Sequence, residues 1–344
     1  MGTNSAGQGQ GHGARHDHGE GQGHGDGHRP AADTAGGSGP APSPAYTVAR
    51  YGGVDVLVGG DRGAYPYGNS LLVRGRGTRG TSGSSSTLVI DPSLALADTA
   101  PPADTVLVSH GHEDHIAGLG NYDVPVHAHT KDVDAVRSRE ALVAGSGLPP
   151  EEARAADDMM REEFHIEGHP DVTGFEDGTV FDLGGRTVTA VHLPGHTPGH
   201  SGFLIEPDGF FFVADIDLTS FGPYYGDVGS NLPDFEASMA RCREIDARWY
   251  GTGHQKGVIE GADEFRRRLA AYADVVQQRE DKLLAFLSEP RTLDRIAAHR
   301  LVYRPHVEGV LVRTVELRTA ERHLNRLLGE GRAEEVEPGL FRAV

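Results

Sequence analysis

Between Ser109 and Gly118 the chain reads SHGHEDHIAG, which sets three histidines and two acids in the six positions His110 to His115. Imidazole nitrogens and carboxylate oxygens without a thiolate suit zinc or a similar borderline divalent ion. The run directly follows the apolar stretch Thr105-Val106-Leu107-Val108. On a loop after a strand, side chains at i and i+2 can converge on one ion, here His110 and His112. The Asp114-His115 pair can then serve a second ion nearby. Isolated histidines are usually satisfied surface residues; four ligand-type residues in six positions are not. Three further stretches offer one donor each. LPGHTPGHS places His196 on a Gly/Pro-shaped turn, Val213-Ala214-Asp215 ends an apolar run in a carboxylate, and GTGHQKG sets His254 between glycines.

These donors need rigid elements to aim them. Short β-branched runs at Val54–Val58, Ser70–Val73, Thr87–Ile90 and Thr105–Val108 are bounded by Gly, Pro, Asn, Asp or Ser, as strands are. Val124–His129 alternates apolar and polar, and strand-like runs return at Thr187–Leu193, Gly202–Ile205 and Phe210–Val213. Helices are predicted at Lys131–Val143 and at Pro150–Phe164, whose Pro-Glu-Glu start suits a helix N-terminus. Strands mixed with helices in this order predict a layered α/β architecture. Each donor follows a strand-like or apolar segment, so all of them are expected at one sheet edge. Gly75–Ser86 (GRGTRGTSGSSS) reads as a flexible loop.

The full pattern resembles the metallo-β-lactamase fold hydrolases, over about Tyr46 to Glu260. The family's HxHxDH motif matches His110, His112, Asp114 and His115; its later ligands match His196, Asp215 and His254 in the same order. The resemblance implies an αββα sandwich with the site at one edge of two packed sheets. It also implies two zinc ions, or iron or manganese in their place. One would be held by His110, His112 and His196, the other by Asp114, His115 and His254, with Asp215 bridging. By the same resemblance a dinuclear-zinc-activated hydroxide attacks the substrate, and Asp114 is the catalytic residue that orients it and relays its proton. His200 is expected to support the turn rather than bind metal, Glu113 to point away, and Asp217 to stand behind the ligands. Phe221, Tyr224, Tyr225 and Lys256 are candidates for the substrate pocket. His127, His129, His165, His169 and His192 are given no metal role.

The rest of the chain frames this catalytic segment, 45–260. The first 44 residues contain no Val, Ile, Leu, Phe, Trp or Tyr. They read as a disordered Gly/His-rich tail, since they cannot bury enough apolar surface to offset chain entropy. Its His12, His16, His18, His24 and His28 could gather metal, but a solvated low-complexity extension is the preferred reading. The single cysteine, Cys242, excludes an internal disulfide framework. With no signal-peptide pattern and no long apolar run, the expectation is a cytoplasmic protein without membrane contact.

Residues 261–344 predict a linker helix, Asp263–Leu287, either continuous or as a broken pair. Helices at Thr292–His299 and Val312–Leu328 and a hairpin about Pro338-Gly339 complete a winged-helix outline. It resembles the appendage on the branch that includes the β-lactamase-like endoribonucleases. Arg313, Arg318, Arg322 and Arg326 could form a basic stripe, yet the hairpin carries Glu334, Glu335 and Glu337, and the formal charge is −18. A packing or homodimerisation role is therefore preferred over RNA binding. The leading function is hydrolysis of a small-molecule ester, thioester or lactone, with glyoxalase II a relative by motif. A metal-dependent endoribonuclease or phosphodiesterase is the alternative, and a mononuclear iron persulfide dioxygenase the second.

Overall fold

A computed structural model describes residues 46–77 and 85–344. The Gly/His-rich tail and most of the Gly75–Ser86 loop lie outside the described residues. Two sheets carry the architecture. The first runs in sequence order: β1 (Thr47–Tyr51), β2 (Val54–Val58), β3 (Asn69–Arg74), β4 (Thr87–Ile90), β5 (Thr105–Leu107), β6 (Val126–His129) and β7 (Thr173–Phe175). Pairing is antiparallel from β1 to β4 and parallel from β4 to β7. The second is ordered β13-β12-β11-β10-β9-β8, from β8 (Val180–Asp182), β9 (Thr187–His192), β10 (Ser201–Glu206), β11 (Phe210–Phe212), β12 (Trp249–Gly251) and β13 (Val258–Glu260).

Period-two alternation sorts the side chains into layers. Leu88, Ile90 and Leu107 pack against Phe203, Ile205, Phe210 and Phe212 between the sheets. Val89 and Val106 turn outward, with Val126, to the cluster that holds Val136, Leu142, Ala156 and Met160. These last four belong to α2 (Val133–Arg137), α3 (Arg139–Ser146) and α4 (Pro150–Glu162). On the other side Phe211 meets Phe235 and Met239 of α5 (Leu232–Glu244) and Phe265 and Leu269 of α6 (Ala262–Phe286). The three phenylalanines of β11 thus serve two cores, and the layers read helix, sheet, sheet, helix, as expected.

One helix expectation needs correction, and one open alternative closes. Lys131–Val143 is broken at Ser138, which is extended (φ −143°, ψ 138°) and caps α3 by accepting from the Ala141 N–H. Asp263–Leu287 is one helix, α6, its buried Phe265, Leu269, Tyr272, Val276 and Leu283 keeping helical spacing throughout. Beyond it come β14 (Arg291–Thr292), α7 (Leu293–His299), α8 (Val312–Gly329), β15 (Ala333–Glu337) and β16 (Leu340–Ala343), the strands ordered β14-β16-β15. Leu283, Leu287, Ile296, Ala320, Leu324 and Leu327 form a core of their own here. Among the described residues no helix is long and apolar enough to cross a membrane.

Candidate metal centre

Strand direction brings the donors together. In the second sheet β9 and β11 are both antiparallel to β10, and β11 is parallel to β12. The loops after β9, β11 and β12 therefore leave the same edge, carrying His196, Asp215 and His254. In the first sheet β4 and β5 are parallel, so Asp91 and His110 also leave side by side. The edges are tied by backbone bonds from Ser201 N–H to Ser109 C=O (2.9 Å) and from Asn69 N–H to Gly253 C=O (2.7 Å). Asp114 and His115 sit on α1 (Glu113–Ile116), one turn that starts directly after His112.

The seven predicted donors fall into two adjoining clusters: His110, His112, His196 and Asp215, then Asp114, His115 and His254. In the first, His110 Nε2 lies 3.1 Å from both His112 Nδ1 and His196 Nε2. In the second, His254 Nε2 is 3.1 Å from Asp114 Oδ2, and His115 Nε2 is 3.8 Å from that same oxygen. Asp215 spans them. Its Oδ2 is 3.4 Å from His196 Nε2, and its Oδ1 is 3.0 Å from His115 Nε2 and 3.5 Å from His254 Nε2.

Asp114 Oδ2, His115 Nε2 and Asp215 Oδ1 are buried and make no hydrogen bond of acceptable geometry. Orphaned buried groups of this kind are costly, and cations between them would relieve the cost. The donor set fits divalent metal ions.

Each histidine spends its other ring nitrogen on the protein. His115 Nδ1 donates to Asp91 Oδ2 (2.9 Å) and His112 Nε2 to Asp227 Oδ2 (2.7 Å). The Ser109 hydroxyl donates to Asp91 Oδ2 (2.6 Å), which leaves its oxygen to accept from His110 Nδ1 (3.0 Å). His196 Nδ1 donates to the Tyr224 carbonyl (3.0 Å) and His254 Nδ1 to the Gly63 carbonyl (3.1 Å). These bonds fix all five tautomers with the remaining nitrogen facing its cluster. Asp91, Asp227, Tyr224 and Gly63 were not singled out for these roles from the sequence. Asp132 is another such residue: it accepts from Gly111 N–H (3.1 Å), Thr197 Oγ1 (2.5 Å) and Gly199 N–H (2.7 Å), joining two ligand loops.

Backbone strain gathers at the same loops. Asp91, Ala214 and Gln255 hold φ of 51°, 44° and 36°, each at or beside a site residue. A Cβ on Gly253 would stand 2.7 Å from Asp215 Oδ1, so glycine is required where the backbone passes the clusters.

The electrostatics follow from crowding. Burial alone would lower the His115 pKa, but Asp215, Asp114 and Asp91 outweigh it and hold the ring well above its usual value. Burial likewise opposes ionisation of Asp215, yet His115, His254 and His110 keep it well below the carboxylate range. Despite burial, Asp227 raises His112 to about 9. Burial, with His196 beside it, lowers His200 to about 3.

The supporting residues take definite places. His200 Nδ1 donates to the Leu193 carbonyl (2.8 Å), and its Nε2 accepts from the Asp215 N–H (3.1 Å), so it positions the bridging residue from behind. Glu113 turns to the Tyr65 hydroxyl (3.0 Å). Asp217 accepts from Thr219 N–H (3.0 Å) and shapes its own loop; burial raises it to about 6. Tyr224 stands edge-on to His196, ring centres 5.5 Å apart. Tyr225 does not line a pocket: it is buried and bonded to His323 Nε2 at 2.8 Å. Lys256 is exposed, and His129 stacks on His192 away from the clusters.

The arginines of α8 form no open basic stripe. Arg318 donates to the carbonyls of Ser146, Gly147 and Gly226, and Arg322 to those of Asp227 and Ser230. Arg326 pairs with Glu236 and Glu280. Only Arg313 of the four is well exposed, and it pairs with Asp294.

Comparison with known proteins agrees with this geometry. The family model of the metallo-beta-lactamase superfamily matches residues 67–254. An atrochrysone carboxyl ACP thioesterase of Aspergillus fumigatus is 31% identical over 35% of this chain and 36% of its own length. A hydroxyacylglutathione hydrolase of Haemophilus influenzae is 28% identical over 40% of this chain and 59% of its own. The chain thus spans less than two thirds of the length of these relatives. A metallo-beta-lactamase family protein from Thermus thermophilus shares the fold: TM-score 0.61 at 22% identity, over 85% of this chain and 99% of that one.

Proposed function

The chain belongs to the metallo-beta-lactamase superfamily, and from that premise we propose that it is a metal-dependent hydrolase of a small ester, thioester or lactone. The observation that carries the reading is Asp215, whose two oxygens face one cluster each, 3.4 Å from His196 and 3.0 Å from His115. That arrangement supports two ions rather than one, and zinc by its donors. Two such cations supply Lewis acidity, lowering the pKa of water and polarising the electrophilic carbonyl. His110, His112 and His196 would hold the first, Asp114, His115 and His254 the second, with Asp215 shared. Asp114 Oδ2, buried and without a hydrogen bond, lies in the second cluster 3.1 Å from His254 Nε2, and Asp114 would take the proton of the attacking water. Tyr65 and Glu113, bonded to each other, flank it.

Residues 261–344 read as a linker helix and a winged-helix-like domain whose task is packing. The engaged Arg318, Arg322 and Arg326, with Glu334, Glu335 and Glu337 on the hairpin, support that over RNA binding. The thioesterase and hydroxyacylglutathione hydrolase among its relatives favour a thioester over a phosphodiester. The test is metal analysis of the purified protein followed by a panel of thioesters, lactones, phosphodiesters and short RNAs. About two zinc ions per chain with ester or thioester turnover is expected. A single iron with no hydrolysis overturns the proposal in favour of a persulfide dioxygenase, and RNA cleavage alone in favour of the ribonuclease.

A further inference from the structure

Among the described residues the exposed aromatic side chains are Tyr65, Tyr67 and Phe221. All three sit on loops that serve the metal centre. Tyr65 and Tyr67 follow Gly63, whose carbonyl holds His254, and Phe221 lies between Asp215 and Tyr224. Exposed aromatic side chains on the loops that hold a site's ligands mark recognition rather than folding.

The C-terminal region adds a fourth ring. The carboxylate of Glu316, buried in α8, accepts from the backbone N–H groups of Leu301 (2.7 Å), Val302 (3.0 Å) and Tyr303 (2.6 Å). That clamp delivers Tyr303 to Phe221, ring centres 5.5 Å apart. Burial, with smaller contributions from the carboxylates of Asp227, Glu316 and Glu113, raises the pKa of its phenol, so the ring stays neutral. Behind this wall Arg279 is committed to the carbonyls of Phe221 and Pro223, and Arg322 to those of Asp227 and Ser230. The wall therefore presents rings, and the arginines behind it are spent on backbone carbonyls.

We propose that Tyr303, carried in from the C-terminal region, completes an aromatic wall that selects an uncharged aromatic acyl group on the ester or thioester. It rests on the hydrolase reading above and narrows its substrate. The test compares S-benzoyl, S-acetyl and S-succinyl N-acetylcysteamine as substrates, and measures 2-naphthamide binding by fluorescence independently of turnover. The benzoyl thioester should lead in kcat/KM. Tyr303→Ala should lower that lead and weaken naphthamide binding about tenfold, while Tyr303→Phe keeps both and metal content stays unchanged. Equal turnover of acetyl and benzoyl thioesters, a succinyl preference, or unchanged naphthamide binding in Tyr303→Ala overturns the proposal. Tyr303-dependent naphthamide binding without hydrolysis of any thioester upholds the wall and overturns the hydrolase reading instead.

Discussion

Asp91→Asn is the most informative single change, because it alters one atom and leaves every ligand in place. Three donors converge on this fully buried carboxylate: Ser109 N–H on Oδ1 (2.6 Å), Ser109 Oγ on Oδ2 (2.6 Å) and His115 Nδ1 on Oδ2 (2.9 Å). An asparagine keeps Oδ1 as acceptor for the backbone N–H but sets an NH₂ against the other two donors. His115 can meet that NH₂ only by becoming an acceptor at Nδ1, which moves its proton to Nε2. Nε2 is the nitrogen that faces Asp215 at 3.0 Å, so the variant closes one donor of the second cluster. Loss of such an orienting partner costs 10–100-fold in metal affinity, or about 1.4–2.7 kcal/mol. The assay is stepwise zinc competition against a chromogenic chelator, with circular dichroism to show the fold retained. One of the two affinities should fall in that range while the other is kept. Two affinities as in the parent protein would refute the tautomer argument.

Asp227→Ala should do the same to the other ion, since it removes the partner of His112 Nε2 at 2.7 Å; chelator competition should again show a loss of about 10–100-fold, confined to one step. Gly253→Ala places a methyl 2.7 Å from Asp215 Oδ1 and 3.1 Å from His115 Cε1, so zinc stoichiometry by atomic absorption should fall below that of the parent. Asp114→Ala should abolish thioester turnover, by at least about 100-fold in kcat, while thermal melting shows the fold intact. Full activity there would remove Asp114 from the mechanism.

The donors were legible in the sequence for a physical reason: ligands on loops after strands are short, dense and chemically unmistakable. His110, His112, Asp114 and His115 occupy six positions, and His196, Asp215 and His254 each follow a strand-like or apolar segment. The residues that orient them carry no such mark. Asp91 reads as an ordinary turn acid after Thr87–Ile90, and only the parallel pairing of β4 with β5 makes it the partner of both Ser109 and His115. Asp227 is 115 positions from the histidine it holds. Gly63 contributes a backbone carbonyl, which no residue type announces. The arginines of α8 are ambiguous in sequence, since Arg318 and Arg322 have the spacing of a basic face until the carbonyls of Ser146, Gly147, Asp227 and Ser230 absorb them. Arg322 holds the backbone of the residue that orients His112, so the C-terminal helix and the first cluster are joined through one loop. A sequence displays such a site's ligands by type, but its preorganisation lies in long-range bonds between inconspicuous residues.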